Sequence, residues 1–120
     1  MANILIVDDS KTSRRMIRRV LEAAGHVIVA EASNGEEGVI AYQKERPDLV
    51  TMDVTMPVMD GIEALQVMLH EDPQAKVIMI TALGQSERMV QAIKQGAIGF
   101  IAKPFQETEI INAVENALSK

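Results

Sequence analysis

Five short apolar runs, rich in β-branched residues and separated by longer helical patterns, constrain the fold of this 120-residue chain more than any other feature. They are Ile4–Val7, Val27–Ala30, Leu49–Met52, Val77–Ile80 and Phe100–Ala102. None alternates strictly between apolar and polar residues, so the runs suit strands covered on both faces. Strand–helix alternation implies parallel strands joined by right-handed crossovers. The expectation is one α/β domain over residues 1–120, a doubly wound parallel sheet with five strands and five helices. In the first helix Met16, Ile17, Val20, Leu21 and Ala24 share one face. The second runs from Glu36 to about Glu45 and is limited by Pro47. The third follows Asp60 as its N-cap and ends before Pro73. The fourth begins near Ser86 and stops at Gly96, and the fifth runs from about Thr108 to Leu118.

Charge and composition exclude several functions. The net charge of −5 disfavours nucleic acid as a partner of the whole chain. The absence of cysteine removes disulfide and thiolate chemistry. No apolar run approaches membrane-spanning length. The amino terminus enters a strand pattern at once and the last helix closes the chain. Neither a leader nor an output domain is therefore expected, and the best reading is a soluble cytoplasmic protein that binds no membrane. With no tryptophan and few aromatics, Met, Ile, Val and Leu must fill the core. His26 and His70 lack metal-ligand spacing and read as surface residues.

The chemistry gathers where the runs stop. Asp8 and Asp9 follow the first run, Asp53 the third, Thr81 the fourth and Lys103 the fifth. In an open parallel sheet the carboxyl ends of the strands form the ligand crevice, so these groups converge. Clustered carboxylates repel one another unless a cation joins them, and magnesium takes oxygen ligands. Each residue also has an ordinary reading. An Asp pair at a helix start can be a cap, Asp53 can open a turn, and Thr81 can be a β-branched strand end. Lys103-Pro104 is more specific, because a cis bond in a tight turn would aim the ammonium into the crevice. A carboxylate at position 53 can attack phosphorus, and a lysine suits a phosphoryl oxygen as a point charge.

Asp8-Asp9, Asp53 with Met56-Pro57-x-x-Asp60-Gly61, Thr81-Ala82 and Lys103-Pro104-Phe105 occur in order, each after a strand. In these motifs the chain resembles, over essentially its whole length, the receiver domain of two-component response regulators, and within them the single-domain chemotaxis type. The resemblance implies a flavodoxin-like sheet of order 2-1-3-4-5. It implies that Asp53 accepts a phosphoryl group from a histidine kinase. Asp9, Asp53 and the Thr55 carbonyl would bind magnesium directly, and Asp8 through water. Lys103 and Thr81 would contact the phosphoryl oxygens beside the Ala82 N–H. Thr81 and Phe100 would form the switch, moving inward to alter a face made by the fourth helix, fifth strand and fifth helix. That face would bind the flagellar motor switch, and a phosphatase is a further possible partner. A monomer with slow self-dephosphorylation is expected, not an enzyme. Thr55 and Leu83 flank the site and are expected to tune the lifetime of the modification. Ile98 is expected as an exposed apolar contact on the output face.

Three other functions compete. A phosphorelay intermediate, passing its phosphoryl group to a histidine phosphotransfer protein, is compatible with the same residues. A haloacid-dehalogenase-type phosphatase also uses an Asp nucleophile, Lys and magnesium, but needs a second Asp two residues on, where this chain has Thr55. A flavin-binding module would want a phosphate loop after the first strand, where two Asp residues stand instead. Arg14, Arg15, Arg18 and Arg19 fall within about 140° of one another on the first helix. They read either as a solvated face or as a docking patch that steers an acidic phosphodonor protein.

Overall fold

The computed structural model describes residues 1–82 and 84–120. Strands and helices alternate without exception: β1 (Asn3–Val7), α1 (Lys11–Ala23), β2 (Val27–Ala32), α2 (Gly35–Glu45), β3 (Leu49–Asp53), α3 (Gly61–Glu71), β4 (Val77–Thr81), α4 (Ser86–Gln95), β5 (Gly99–Ala102) and α5 (Glu107–Leu118). The strands are parallel in the order β2-β1-β3-β4-β5. From β1 the chain moves outward to β2 and then back past β1 to β3. The crevice of such a sheet lies at this reversal, outside the carboxyl ends of β1 and β3.

The pleat sorts the apolar runs into two layers. Leu5, Val7, Val50, Met52, Val77 and Met79 pack with α2 and α3, chiefly through Tyr42, Ile62, Leu65 and Met68. Their neighbours in sequence, Ile4, Ile6, Leu49, Ile78 and Ile80, pack with Ile17, Val20 and Leu21 of α1 and Ile110 and Val114 of α5. Each fully buried Ile, Leu or Met contributes about 1.5–3 kcal/mol relative to exposure. A strand that is apolar at nearly every position serves both layers at once.

Helix ends follow local chemistry. Ser10 Oγ accepts the Ser13 N–H at 3.2 Å, Asn34 Oδ1 the Glu37 N–H at 2.9 Å and Asp60 Oδ1 the Glu63 N–H at 2.9 Å. At α5 the Gln106 N–H donates to Glu109 Oε1 at 3.0 Å. Gly96 closes α4 at φ 118°, a conformation that favours glycine.

Four details differ from the sequence expectation. β2 runs on to Ala32 because Ala32 pairs with Val7 beyond the last run of apolar residues. Ala24 leaves the apolar face of α1, as it is exposed and caps the helix carboxyl end. Ile98 is not an exposed contact; it is half-buried and packs on the α1/α5 layer. His26 is not on the surface. The turn from α1 into β2 folds it under the chain terminus, where it is 6% exposed and its Nδ1 accepts the Ala2 N–H at 3.2 Å. His70 is exposed as expected.

Candidate functional site

β1 and β3 are neighbours, so the residues that follow or end them meet. Asp8, Asp9 and Asp53 each bring a carboxylate oxygen within 4.8 Å of the others. Asp8 is fully buried, Asp9 is exposed, and the Asp53 side chain is 12% exposed. Asp8 does not cap α1, since Ser10 does that. Asp8 Oδ1 instead accepts the Ser10 N–H at 2.8 Å. Lys103, delivered from the end of β5 on a cis Lys103–Pro104 bond, places Nζ 3.4 Å from Asp8 Oδ2 and 3.5 Å from Asp53 Oδ2.

Three carboxylates face one ammonium, so the cluster carries an excess of negative charge. Burial is the main reason the Asp53 carboxyl is pushed up to about 6. Lys103 pulls in the other direction, while Asp8 and Asp9 raise it further. A hard divalent cation would remove that repulsion, and an all-oxygen donor set of this size and charge fits magnesium. Asp9 and Asp53 would hold it directly. Asp8, already engaged by Ser10 and Lys103, is suited to a supporting role.

Gly61 explains how the loop after Asp53 is held. Its N–H donates to the Val54 carbonyl at 2.8 Å, and a Cβ at position 61 would collide with the Asp53 carbonyl oxygen. Close approach, more than conformational freedom, requires glycine here. Val58, in the same loop, adopts φ 69° and is 76% exposed. A β-branched residue in that region is strained.

Thr81 ends β4 fully buried. Its hydroxyl reaches the Ala82 carbonyl at 3.2 Å and Gln85 Oε1 at 3.4 Å. Phe100 lies on β5, 47% exposed. Thr55 is exposed, and its hydroxyl accepts from Gln85 Nε2 at 2.8 Å. Leu83 lies outside the described residues. The crevice therefore brings together Asp8, Asp9, Asp53 and Lys103, while Phe100 points to solvent. Sequence reading missed Gln85 and Arg88, whose guanidinium donates to Asp60 at 2.8 Å. The available cue was glutamine, a poor capping residue, at the start of a helix.

The arginine face of α1 is only partly free. Arg14 and Arg18 bind the same Glu31 carboxylate of β2 at 3.2 and 2.6 Å. Arg18 also pairs with Glu22 at 3.1 Å, and Arg14 donates to the Asp8 carbonyl at 2.6 Å. These bonds tie α1 to β2. Arg15 and Arg19 remain exposed.

Comparison with known proteins agrees with this geometry. The response regulator receiver domain family matches residues 4–115. The chain is 50% identical over 118 residues to Protein CcdB of Bacillus subtilis, covering 98% of both chains. It is 49% identical over 117 residues to chemotaxis protein CheY of Listeria monocytogenes, again covering 98% of both. A crystal structure of a CheX–CheY–BeF3–Mg2+ complex from Borrelia burgdorferi superposes with a TM-score of 0.94 at 38% identity, covering 98% of this chain and 90% of that one. The sheet order, the strand-end residues and these similarities lead to one conclusion: the chain belongs to the response regulator receiver domain family and is CheY-like.

Proposed function

We propose that this receiver domain, spanning residues 1–120, is a cytoplasmic switch. Asp53 accepts a phosphoryl group from a histidine kinase of the chemotaxis type, and the modified protein binds a flagellar motor switch protein. One observation carries the reading: a largely buried Asp53 carboxylate lies 3.5 Å from Lys103 and within 4.8 Å of two further carboxylates, at the reversal point of the sheet. An Asp53 oxygen attacks phosphorus and the bond from phosphorus to the donor nitrogen breaks, leaving an aspartyl phosphate. Such a transfer needs alignment and neutralised charge more than covalent help from the protein. Lys103 supplies one positive charge to the phosphoryl oxygens. When bound by Asp9, Asp53 and the Thr55 carbonyl, with Asp8 in support, magnesium supplies the rest of the neutralisation. Slow self-dephosphorylation ends the signal.

Thr81 and Phe100 couple the site to the output face. The Thr81 hydroxyl moves to the phosphoryl group, and the Phe100 ring takes the space behind it. Val90, Ile93 and Phe100 are exposed large apolar residues on α4 and β5 and form the apolar part of that face. Incubation with acetyl phosphate and magnesium, followed by mass spectrometry, tests the assignment. The adduct is expected on Asp53 and absent from Asp53→Asn. An Asp53→Asn protein modified at the wild-type rate would refute it. For the output, Thr81→Ala should be phosphorylated and yet lose most of the phosphorylation-dependent gain in partner binding.

A further inference from the structure

Gln85 stands at the N-cap position of α4 but makes no side-chain capping bond. Its amide is spent across the site instead. Nε2 donates to Thr55 Oγ1 at 2.8 Å, and Oε1 lies 3.4 Å from Thr81 Oγ1. One side chain thus joins the hydroxyl beyond the phosphoacceptor strand to the hydroxyl that ends β4. Arg88, three residues on and therefore on the same side of α4, donates to Asp60 Oδ2 at 2.8 Å. The first turn of α4 is fastened to the β3–α3 loop at two points, with Gln85 nearer to Thr81.

A hydroxyl has one proton to donate. While Thr81 donates toward Gln85 and the Ala82 carbonyl, it cannot donate to a phosphoryl oxygen on Asp53. The donor bond to Thr55 fixes the amide so that its oxygen, not its nitrogen, faces Thr81. We infer that Gln85 is a positioning residue of the switch: it clasps Thr55 and Thr81 in the unmodified protein, and its bond to Thr81 must break when the site is phosphorylated. The inference rests on the phosphoacceptor reading above and adds a residue that opposes the switch. Without the clasp, Thr81 has the Ala82 carbonyl as its remaining acceptor and the exposed Thr55 hydroxyl is met by water, so the loss falls on the unmodified state and is confined to the bond with Gln85.

The test is calorimetric titration of the protein with beryllofluoride, a mimic of the phosphoryl group, at saturating magnesium. Gln85→Leu removes the amide and leaves an apolar stem one heavy atom shorter, which can bond neither hydroxyl. It should bind beryllofluoride about three- to tenfold more tightly than wild type, the equivalent of one net hydrogen bond lost from the unmodified state. Thr55→Val should tighten binding by a smaller factor, because it frees the amide without removing it. The double variant should gain no more than Gln85→Leu alone. A merely damaged site would weaken binding, so tightening separates positioning from structural disturbance. Equal or weaker binding by Gln85→Leu, or full additivity with Thr55→Val, would overturn the clasp alone. A wild-type protein that binds no beryllofluoride would overturn the phosphoacceptor reading and the clasp with it.

Discussion

Ionising Asp53 in the metal-free protein should destabilise the fold, and replacing it should show by how much. Burial, with help from Asp8 and Asp9, raises its carboxyl from the ordinary 3.8 to about 6 despite Lys103. The native state then holds a proton that the unfolded chain has released. The part of the stability that depends on Asp53 is fully present below about pH 4 and is lost as pH rises through about 6. A gap of roughly two pH units corresponds to at most about 3 kcal/mol, and water at the mouth of the crevice screens this to about 2 kcal/mol. Asp53→Asn has nothing to ionise. In the presence of a chelator it should be about 2 kcal/mol more stable than wild type at pH 7.5, or about 8 °C in Tm for a chain of this size. At pH 4 the two proteins should nearly coincide. Magnesium at about a hundred times its Kd would stabilise wild type by about 2.7 kcal/mol and should erase the advantage of the variant. Thermal melts at pH 4 and 7.5, with chelator and with magnesium, measure every quantity needed. An advantage absent at pH 7.5, or equally large at pH 4, would refute the cost of burying the Asp53 charge beside Asp8 and Asp9.

Three further perturbations are informative. Val58→Asn should raise stability by about 1 kcal/mol in urea unfolding, since asparagine tolerates the left-handed conformation that strains valine at φ 69°. His26→Leu should lower it by about 1–3 kcal/mol, because the buried Ala2 N–H would lose its acceptor. Glu31→Gln should weaken the two arginine ties from α1, with a loss of about 1 kcal/mol at low salt that shrinks in 1 M salt.

The sheet was legible because its strands must satisfy two layers. A run such as Val77–Ile80 has no polar face to mislead the reader, and the polar residue that ends it marks the crevice edge. Asp8, Asp9, Asp53 and Lys103 could be placed together for the same reason: strand ends of a parallel sheet share one edge. What escaped notice depends on contacts that no period encodes. His26 is buried because a turn carries it under the chain terminus. Gln85 reaches Thr55, which lies 30 residues earlier, through a bond that only the packing of α4 creates. Arg14 and Arg18 read as a free face because helical geometry places them together, whereas β2 supplies the carboxylate that occupies both.

The close approach at Gly61 sets a mechanical tolerance on the nucleophile. The Asp53 carbonyl belongs to the residue whose side chain is proposed to react, and α3 begins on the other side of that contact. A single added methyl at position 61 would press on the Asp53 backbone, which cannot swing aside as the nearby Met79 side chain could. The push would reach the Asp53 carboxylate as a shift in position without altering a charge or a hydrogen-bonding group. Reacting atoms displaced by about 1 Å can lose on the order of a hundredfold in rate. The speed of the proposed reaction is therefore open to adjustment through a spacer that contains no chemistry of its own. Sequence changes there would read as conservative and act as kinetic ones.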